Sequence, residues 1–327
     1  MSKVNLIVDC GTTNLRVTLL DERRQVVDSV KAEGGVRHTA IDGHNGRLKA
    51  ALRESVNTLL AAHGYDAGDV ARCVAYGMIT SNVGLLEIPH VIAPASPGDL
   101  RAAMREQVFP DVAPFPIAFI PGVRNFAGEV NMDNFAGMDM MRGEETEAVG
   151  LYRLLETPGP AVFILPGSHN KFVRMGAAGE IAGCMTSISG ELLDAVTHHT
   201  ILADAAGRSF VGAGEYDSEM ACEGAWECAR SGLGRAAFAG RILSVLGGRD
   251  QRAIQSYLLG ATLALDVQAM QAFLNDAENA RIFVAGKAPV QQAMCDVLAA
   301  LSIEGARQVP REISARMGIC GALEIGF

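Results

Sequence analysis

The sequence predicts an α/β protein made of two domains of like design, and three observations carry that prediction. A pattern of strand, tight turn, strand, turn and strand opens the chain; the same pattern returns at Val162; and helix-spaced apolar stripes lie between and after the two copies. The 327 residues suit two domains at roughly 150 residues each. With 49% hydrophobic and 20% charged side chains the chain can bury a sizeable core, which excludes disorder and a fibrous fold.

In the first copy, residues 4–8 are an apolar run ending at Asp9, Gly11-Thr12-Thr13-Asn14 is turn-prone, and residues 15–19 alternate apolar and polar. A charged turn at 21–24 leads to a third strand at Val26-Val27. In the second copy, residues 162–165 run into Gly167-Ser168-His169-Asn170, then 171–175, a glycine/alanine turn at 176–179, and Ile181. Aligning Gly11 with Gly167 gives an offset of 156 (167 − 11) and pairs Thr12 with Ser168, Asn14 with Asn170 and Val17 with Val173. So long a period excludes a solenoid, whose repeats run about 20–50 residues, and indicates a duplicated domain.

Between the copies, residues 47–63 place Leu48, Leu52, Val56, Leu59 and Leu60 on one helical stripe, with Gly64 as a left-handed terminator. Residues 73–76 read as a buried strand that empties into the glycine-bounded polar loop 77–84, the kind of strand-end loop that meets ligands in α/β sheets. Proline-rich connectors at 94–98 and 110–116 precede an aperiodic stretch at 125–141, which places the boundary between an N-terminal domain, 1–130, and a C-terminal domain, 131–327. In the carboxyl half, 251–274 and 289–301 carry helical spacing around a short strand at 281–284.

The 28 basic and 37 acidic side chains leave a formal charge of −9, which argues against a nucleic-acid partner. No basic leader opens the sequence and no uninterrupted apolar run approaches the roughly 20 residues of a membrane span, so the expectation is a cytoplasmic protein without a membrane partner. Seven scattered cysteines without a C-x-x-C pair suit reduced thiols, and the adjacent His198 and His199 point about 100° apart on a helix, which does not suit a metal.

Three segments carry chemistry. A carboxylate at the end of the first strand followed by Gly, Thr, Thr and Asn offers a metal-facing oxygen beside amides and hydroxyls, and phosphate is the natural ligand of such a cradle. Alone, D-x-G-T-T-N also fits an ordinary hairpin turn; its second copy at 167–170 implies two hairpins clasping the phosphates of one nucleotide. In Met141-Arg-Gly-Glu-Glu-Thr-Glu147 a glycine before paired acids marks a helix start. Capping against the helix dipole is one role for these acids, and orienting a hydroxyl proton is the other.

Together, Asp9-Cys-Gly-Thr-Thr-Asn-Leu-Arg16, Gly77-Met78 with Ser81-Asn82-Val83-Gly84, Ile120-Pro-Gly122, Met141-Arg-Gly-Glu-Glu-Thr146, Pro166-Gly-Ser-His-Asn-Lys171 and Ser189-Gly-Glu-Leu192 resemble the 2-dehydro-3-deoxygalactonokinase family over most of the chain. Cys10 and Phe172 stand where that family commonly has tryptophan, Asn170 where it has cysteine or serine, and Ser189 where it has threonine. The resemblance implies the sugar-kinase and actin-like ATPase superfamily: two ribonuclease-H-like domains hinged around a nucleotide cleft, the first on the sugar side and the second on the nucleotide side.

It further implies an ATP- and Mg²⁺-dependent transfer of the γ-phosphoryl group to the primary (6-) hydroxyl of 2-dehydro-3-deoxy-D-galactonate. Asp9 is then the magnesium residue, and Gly11, Thr12, Thr13, Asn14, Gly167, Ser168, His169, Asn170 and Lys171 are the phosphate-binding set. Glu144 or Glu145 is the catalytic carboxylate, which spacing alone does not separate. Arg16, Arg124 and Arg142 are candidates for the sugar carboxylate, with Ser81 and Asn82 for its hydroxyls, although Arg16 equally suits a pair with an acid on the sheet. Gly286 and Gln292 resemble an adenosine-side turn, a pattern shared by any strand-to-helix junction. Two alternatives stay open: a kinase of a related sugar acid such as 2-dehydro-3-deoxygluconate, and a non-catalytic nucleotide-dependent regulator of the same superfamily. A homodimer is also open. A Rossmann oxidoreductase is disfavoured because no G-x-G-x-x-G follows the first strand.

Overall fold

The computed structural model describes residues 3–156, 159–274 and 280–327. The chain divides into two compact units, one gathering 1–158, 179–184 and 315–327, the other 159–178 and 185–314.

The first unit is built on a 6-stranded sheet of β1 (Val4–Cys10), β2 (Asn14–Leu20), β3 (Val26–Glu33), β4 (Val70–Gly77), β6 (Arg105–Phe109) and β7 (Ala113–Phe119), ordered β3-β2-β1-β4-β7-β6. β1 runs antiparallel to β2 and parallel to β4, and β4 is parallel to β7. The central strands are nearly continuous apolar runs because both faces are covered. Helix α1 (Arg37–Asp42) leads to α2 (Gly46–Ala62), whose Leu48, Leu52, Val56, Leu59 and Leu60 bury against Leu6, Val8, Leu15 and Val17, as the periodicity predicts. Gly64 holds φ +72°, the left-handed conformation expected of it. The third strand runs to Glu33 rather than ending at Val27. Its side chains are mostly exposed, so the ladder with β2 sets its length and the apolar pattern does not.

A second, 5-stranded sheet repeats the plan with β10 (Ala161–Leu165), β11 (Asn170–Met175), β12 (Ile181–Ser187), β13 (Arg281–Val284) and β14 (Arg307–Gln308), ordered β12-β11-β10-β13-β14. Here β10 is antiparallel to β11 and parallel to β13. The two second strands begin 156 residues apart (170 − 14), the offset read from the turns. Around this sheet stand α5 (Ser189–His199), α6 (Ser218–Ser231), α7 (Leu233–Val245), α8 (Gln251–Leu274) and α9 (Val290–Ala300). By length and composition α8 is apolar enough to cross a membrane; here it is the core helix, with Leu259, Leu263, Val267 and Met270 packed against Val162, Ile164 and Phe172.

The division differs from the boundary at 130 that composition suggests. A small sheet of β5 (Val91–Ile92), β8 (Val123–Arg124) and β9 (Met140–Met141) belongs to the first unit, with α3 (Pro97–Ala103) and α4 (Glu144–Leu154). After α10 (Arg311–Ser314), the helix α11 (Met317–Gly326) also returns to that unit. The cause is a backbone-to-backbone contact: a Cβ on Gly150 would lie 1.8 Å from the Met317 carbonyl oxygen, and one on Gly321 would lie 1.7 Å from that of Thr146. Arg101 Nε and Nη2 donate to the carbonyls of Ile325 and Glu324 (2.8 and 2.6 Å), and Arg72 Nε donates to that of Gly326 (2.6 Å), capping the end of α11.

Candidate functional site

In the first unit the Gly11 amide donates to the Asn14 carbonyl at 2.9 Å and closes the turn after β1. The turn's own carbonyls are gripped from behind: those of Gly11, Thr12 and Thr13 accept from the amides of Val36, Arg37 and Gly35 at 3.2, 2.9 and 3.1 Å. Gly35 must be glycine for space, since a Cβ there would lie 2.5 Å from both the Gly11 and Thr12 oxygens. Thr12, Thr13 and Asn14 are left exposed.

Asp9 ends β1 half-buried, opposite Arg16 in the ladder, and its carboxylate accepts the Tyr76 hydroxyl. Burial pushes its pKa up, opposed by Arg16 and by that hydrogen bond. Glu147 of α4 stands close enough to interact, and its carboxyl is raised well above the usual range, first by burial and then by the charges of Glu144, Asp9 and Glu145. Among the described residues no group of three or more His, Cys, Asp or Glu side chains is arranged to hold a metal ion.

The structure separates the paired glutamates. Glu145 is fully buried; its two oxygens accept the Gly143 amide at 2.9 and 2.8 Å, and the Thr146 hydroxyl donates to one of them at 3.1 Å. Burial, then the neighbouring Glu144 charge, pushes its carboxyl up to about 8. Glu145 therefore closes its own helix start. Glu144 is half-buried, with one oxygen accepting the Arg142 amide at 3.2 Å, so it retains an open side.

Several expectations need correction. Arg142 does not present its guanidinium to a ligand: Nη1 donates to the Thr80 carbonyl and hydroxyl (2.6 and 2.9 Å) and Nη2 to the Ile88 carbonyl (2.7 Å), bracing the loop after β4. Ser81 is buried, its hydroxyl donating to the Met78 carbonyl at 2.7 Å, whereas Asn82 is exposed. Arg124 is half-buried on β8; its carbonyl accepts the Ala93 amide at 2.9 Å, while its guanidinium has no hydrogen-bond or ion-pair partner among the described residues. With Arg142 it adds to the burial that pushes His90 down to about 4.

In the second unit a cavity of about 470 Å³ combines a polar lining of Gly167, Ser168, Asn170, Ser189 and Gly190 with apolar walls that include Phe210, Leu259 and Val290. It lies at the carboxyl ends of β10 and β13 and at the amino ends of α5 and α9, where strand-end loops and helix dipoles favour an anionic ligand. The Gly167 amide donates to Asn170 Oδ1 at 2.9 Å, and Asn170 Nδ2 donates to Asp266 Oδ2 at 2.6 Å. Gly190 lies against this turn, where a Cβ would stand 2.2 Å from the Gly167 oxygen, and the Glu191 amide donates to the Ser168 carbonyl at 3.1 Å. His169 is exposed and meets Glu191 at 2.8 Å. Lys171 follows Asn170 and so takes the opposite strand face; it is buried, and its ammonium donates to the Thr186 hydroxyl, away from the cavity. Gly286 and Gln292 do not line the cavity, while their neighbours Pro289 and Val290 do; Gln291, beside Gln292, is tied to the Val284 and Val309 carbonyls at 2.8 and 2.7 Å.

Sequence reasoning missed Gly35, Tyr76, Glu147 and Asp266. A signal existed for two of them. Asp266 is the one acid in a 24-residue helix and the one charged residue at its buried positions, and Gly35 stands at nearly the domain offset from Gly190 (190 − 35 = 155).

A meander of this order in each unit, with a glycine turn after its first strand, is the plan of the two-domain actin-like ATPase architecture. The chain belongs to the 2-keto-3-deoxy-galactonokinase family, a phosphotransferase family whose model matches residues 9–322. A Rhizobium meliloti (strain 1021) protein named for 2-dehydro-3-deoxygalactonokinase, DgoK1, is 27% identical over 205 residues, a match spanning 61% of this chain and 58% of that protein. A Sinorhizobium meliloti crystal structure bearing the same enzyme name is similar with a TM-score of 0.78 at 21% identity, covering 98% of this chain and 99% of the other. Component A of the (R)-2-hydroxyglutaryl-CoA dehydratase of Acidaminococcus fermentans is similar in fold, with a TM-score of 0.50 at 12% identity over 99% and 97% of the two chains.

Proposed function

We propose that the protein phosphorylates the primary (6-) hydroxyl of 2-dehydro-3-deoxy-D-galactonate with ATP. The observation that carries this reading is the second unit's cavity, a ligand-sized space whose polar lining includes the Gly167 turn and the first turn of α5, in a chain of this family. The second unit takes the nucleotide, its base against Phe210, Leu259 and Val290 and its phosphates toward Gly167–Asn170 and Ser189. The first unit contributes the Gly11–Asn14 turn and the sugar-acid residues. Asp9 would hold magnesium, through water, and the ion would supply positive charge to the phosphates. Arg124 is the arginine available for the sugar carboxylate, because Arg142 is committed to main-chain carbonyls and exposed Arg16 faces Asp9.

In the reaction the bond between the γ-phosphorus and its bridging oxygen breaks, and a new phosphorus–oxygen bond forms to the sugar's primary hydroxyl. The hydroxyl proton passes to Glu144, leaving ADP and the sugar-acid phosphate. A loose phosphoryl-transfer transition state asks little of the base, so a carboxylate at a helix start is adequate.

Mass detection of phosphorylated product across a panel of 2-dehydro-3-deoxy sugar acids with Mg-ATP tests the acceptor; a preference for the gluconate isomer would move the assignment to that relative. Glu144→Ala should lower kcat by roughly 10²- to 10⁴-fold with little change in KM for ATP. Near-native turnover by this variant, measured at saturating substrates, removes the base from this position. Arg124→Ala should raise KM for the sugar acid by about tenfold or more, the scale of a lost charge-assisted contact, and leave KM for ATP in place.

A further inference from the structure

Asp266 is 0% exposed, in the middle of α8. A carboxylate so deeply buried is costly unless its oxygens are satisfied. Two of its donors come from the edge of the cavity, Asn170 Nδ2 at 2.6 Å on one oxygen and the Ser189 hydroxyl on the other, and the Ser187 hydroxyl is a third. Asp266 does not line the cavity itself, whereas Asn170 and Ser189 do. Each of those two is also bound elsewhere. Asn170 Oδ1 accepts the Gly167 amide, so the amide group is locked in one orientation by partners at both ends. Ser189 opens α5, and its own amide donates to Ser187 Oγ at 3.3 Å. The residue after it, Gly190, packs against the Gly167 and Ser168 carbonyls.

We infer that Asp266 is a positioning residue for the nucleotide's phosphates, holding the Gly167 turn and the start of α5 in one shape from behind. The inference rests on the nucleotide reading of this cavity and goes beyond it by naming a residue that never touches the ligand. Preorganised donors bind an anion without reorganising, and a cradle assembled from two separate chain segments needs a common anchor to keep its donors convergent. Asp266 is that anchor: both segments hydrogen-bond to the same carboxyl group.

Asparagine at this position can still accept from Asn170 through its oxygen and can donate its amide to the Ser189 hydroxyl, so it preserves the geometry without the charge. Alanine preserves neither arm. The test is calorimetric titration of the full chain with Mg-ATP, alongside steady-state kinetics with the sugar acid. Asp266→Ala should raise Kd and KM for ATP by about 10- to 100-fold, the scale of one lost charge-assisted hydrogen bond, while KM for the sugar acid changes less than about threefold. Asp266→Asn should recover most of the loss. Should the alanine variant not fold, Ser189→Ala removes one arm and should raise the ATP constants several-fold with the same split. Native ATP affinity in a folded Asp266→Ala or Ser189→Ala protein overturns the role, as does a parallel rise in both KM values. Wild-type protein that neither binds nor turns over Mg-ATP overturns the nucleotide reading and this role with it, an outcome distinct from a variant that matches a functioning wild type.

Discussion

The turns after β1 and β10 share Gly-[Ser/Thr]-x-Asn and the same place in their sheets, yet they are held by different bonds. In the first, the Gly11 amide finds the main-chain oxygen of Asn14, and the turn's carbonyls are taken by the amides of residues 35–37. In the second, the Gly167 amide finds the side-chain oxygen of Asn170, which is anchored in turn to Asp266. A turn held by main chain leaves its side chains free for a ligand, and Asn14 is exposed. A turn held by a side chain makes that side chain part of the scaffold, and Asn170 is buried. Identical letters at matched positions thus have different work to do.

The feature the two turns do share should give the largest effect when broken. Gly35→Ala and Gly190→Ala each drive a methyl group to 2.5 and 2.2 Å from a main-chain oxygen. Each should destabilise its unit by about 3 kcal/mol or more, read by denaturant unfolding. Tolerance of either change would mean that the two turns are not gripped alike.

Each unit also holds a fully buried carboxylate beside its site, Glu145 in the first and Asp266 in the second, and both are pushed up chiefly by burial. Glu145 has a folded pKa of about 8 against an ordinary value of 4.5, so the folded state holds its proton more tightly. Its contribution to stability is complete below pH 4.5 and is lost as pH rises through 8. Between those limits wild type should lose on the order of 2 to 4 kcal/mol relative to Glu145→Gln, which has no charge to bury; parallel thermal melts from pH 5 to 9 would show the curves separating. Curves that stay parallel would place the titration elsewhere.

The asparagines sharpen the contrast most narrowly. Asn170→Ala strands the Gly167 amide and one Asp266 oxygen and should cost about 2 kcal/mol, whereas Asn14→Ala should stay within roughly 0.5 kcal/mol in the same unfolding assay. Equal losses would erase the distinction between a main-chain and a side-chain lock.

Much of this architecture is legible in the letters because its elements are set by local chemistry. The apolar runs at 4–8 and 162–165, the stripe from Leu48 to Leu60 and the glycine turns all fall where periodicity places them. The unit boundary is not legible, because α11 joins the first unit through contacts with Gly150 and Thr146, more than 160 residues earlier in the chain. Within the site, residue type points to Arg142 and Lys171 as ligands, and the structure assigns their charges to Thr80, Ile88 and Thr186. A side chain's type names what it is able to bind; which neighbour reaches it first is a property of the fold. Asp266 went unread for the converse reason, since an acid in an apolar helix announces a buried partner without saying which one.

The closure of α11 onto α4 has a consequence for how the molecule is made. Residues 315–327 follow the whole second unit in the chain, so during synthesis the first unit has all six strands of its sheet but leaves Gly150 on α4 uncovered until that later segment emerges. The helix that begins at Glu144 is thus packed by a segment more than 160 residues later in the chain, which makes its final packing a long-range step.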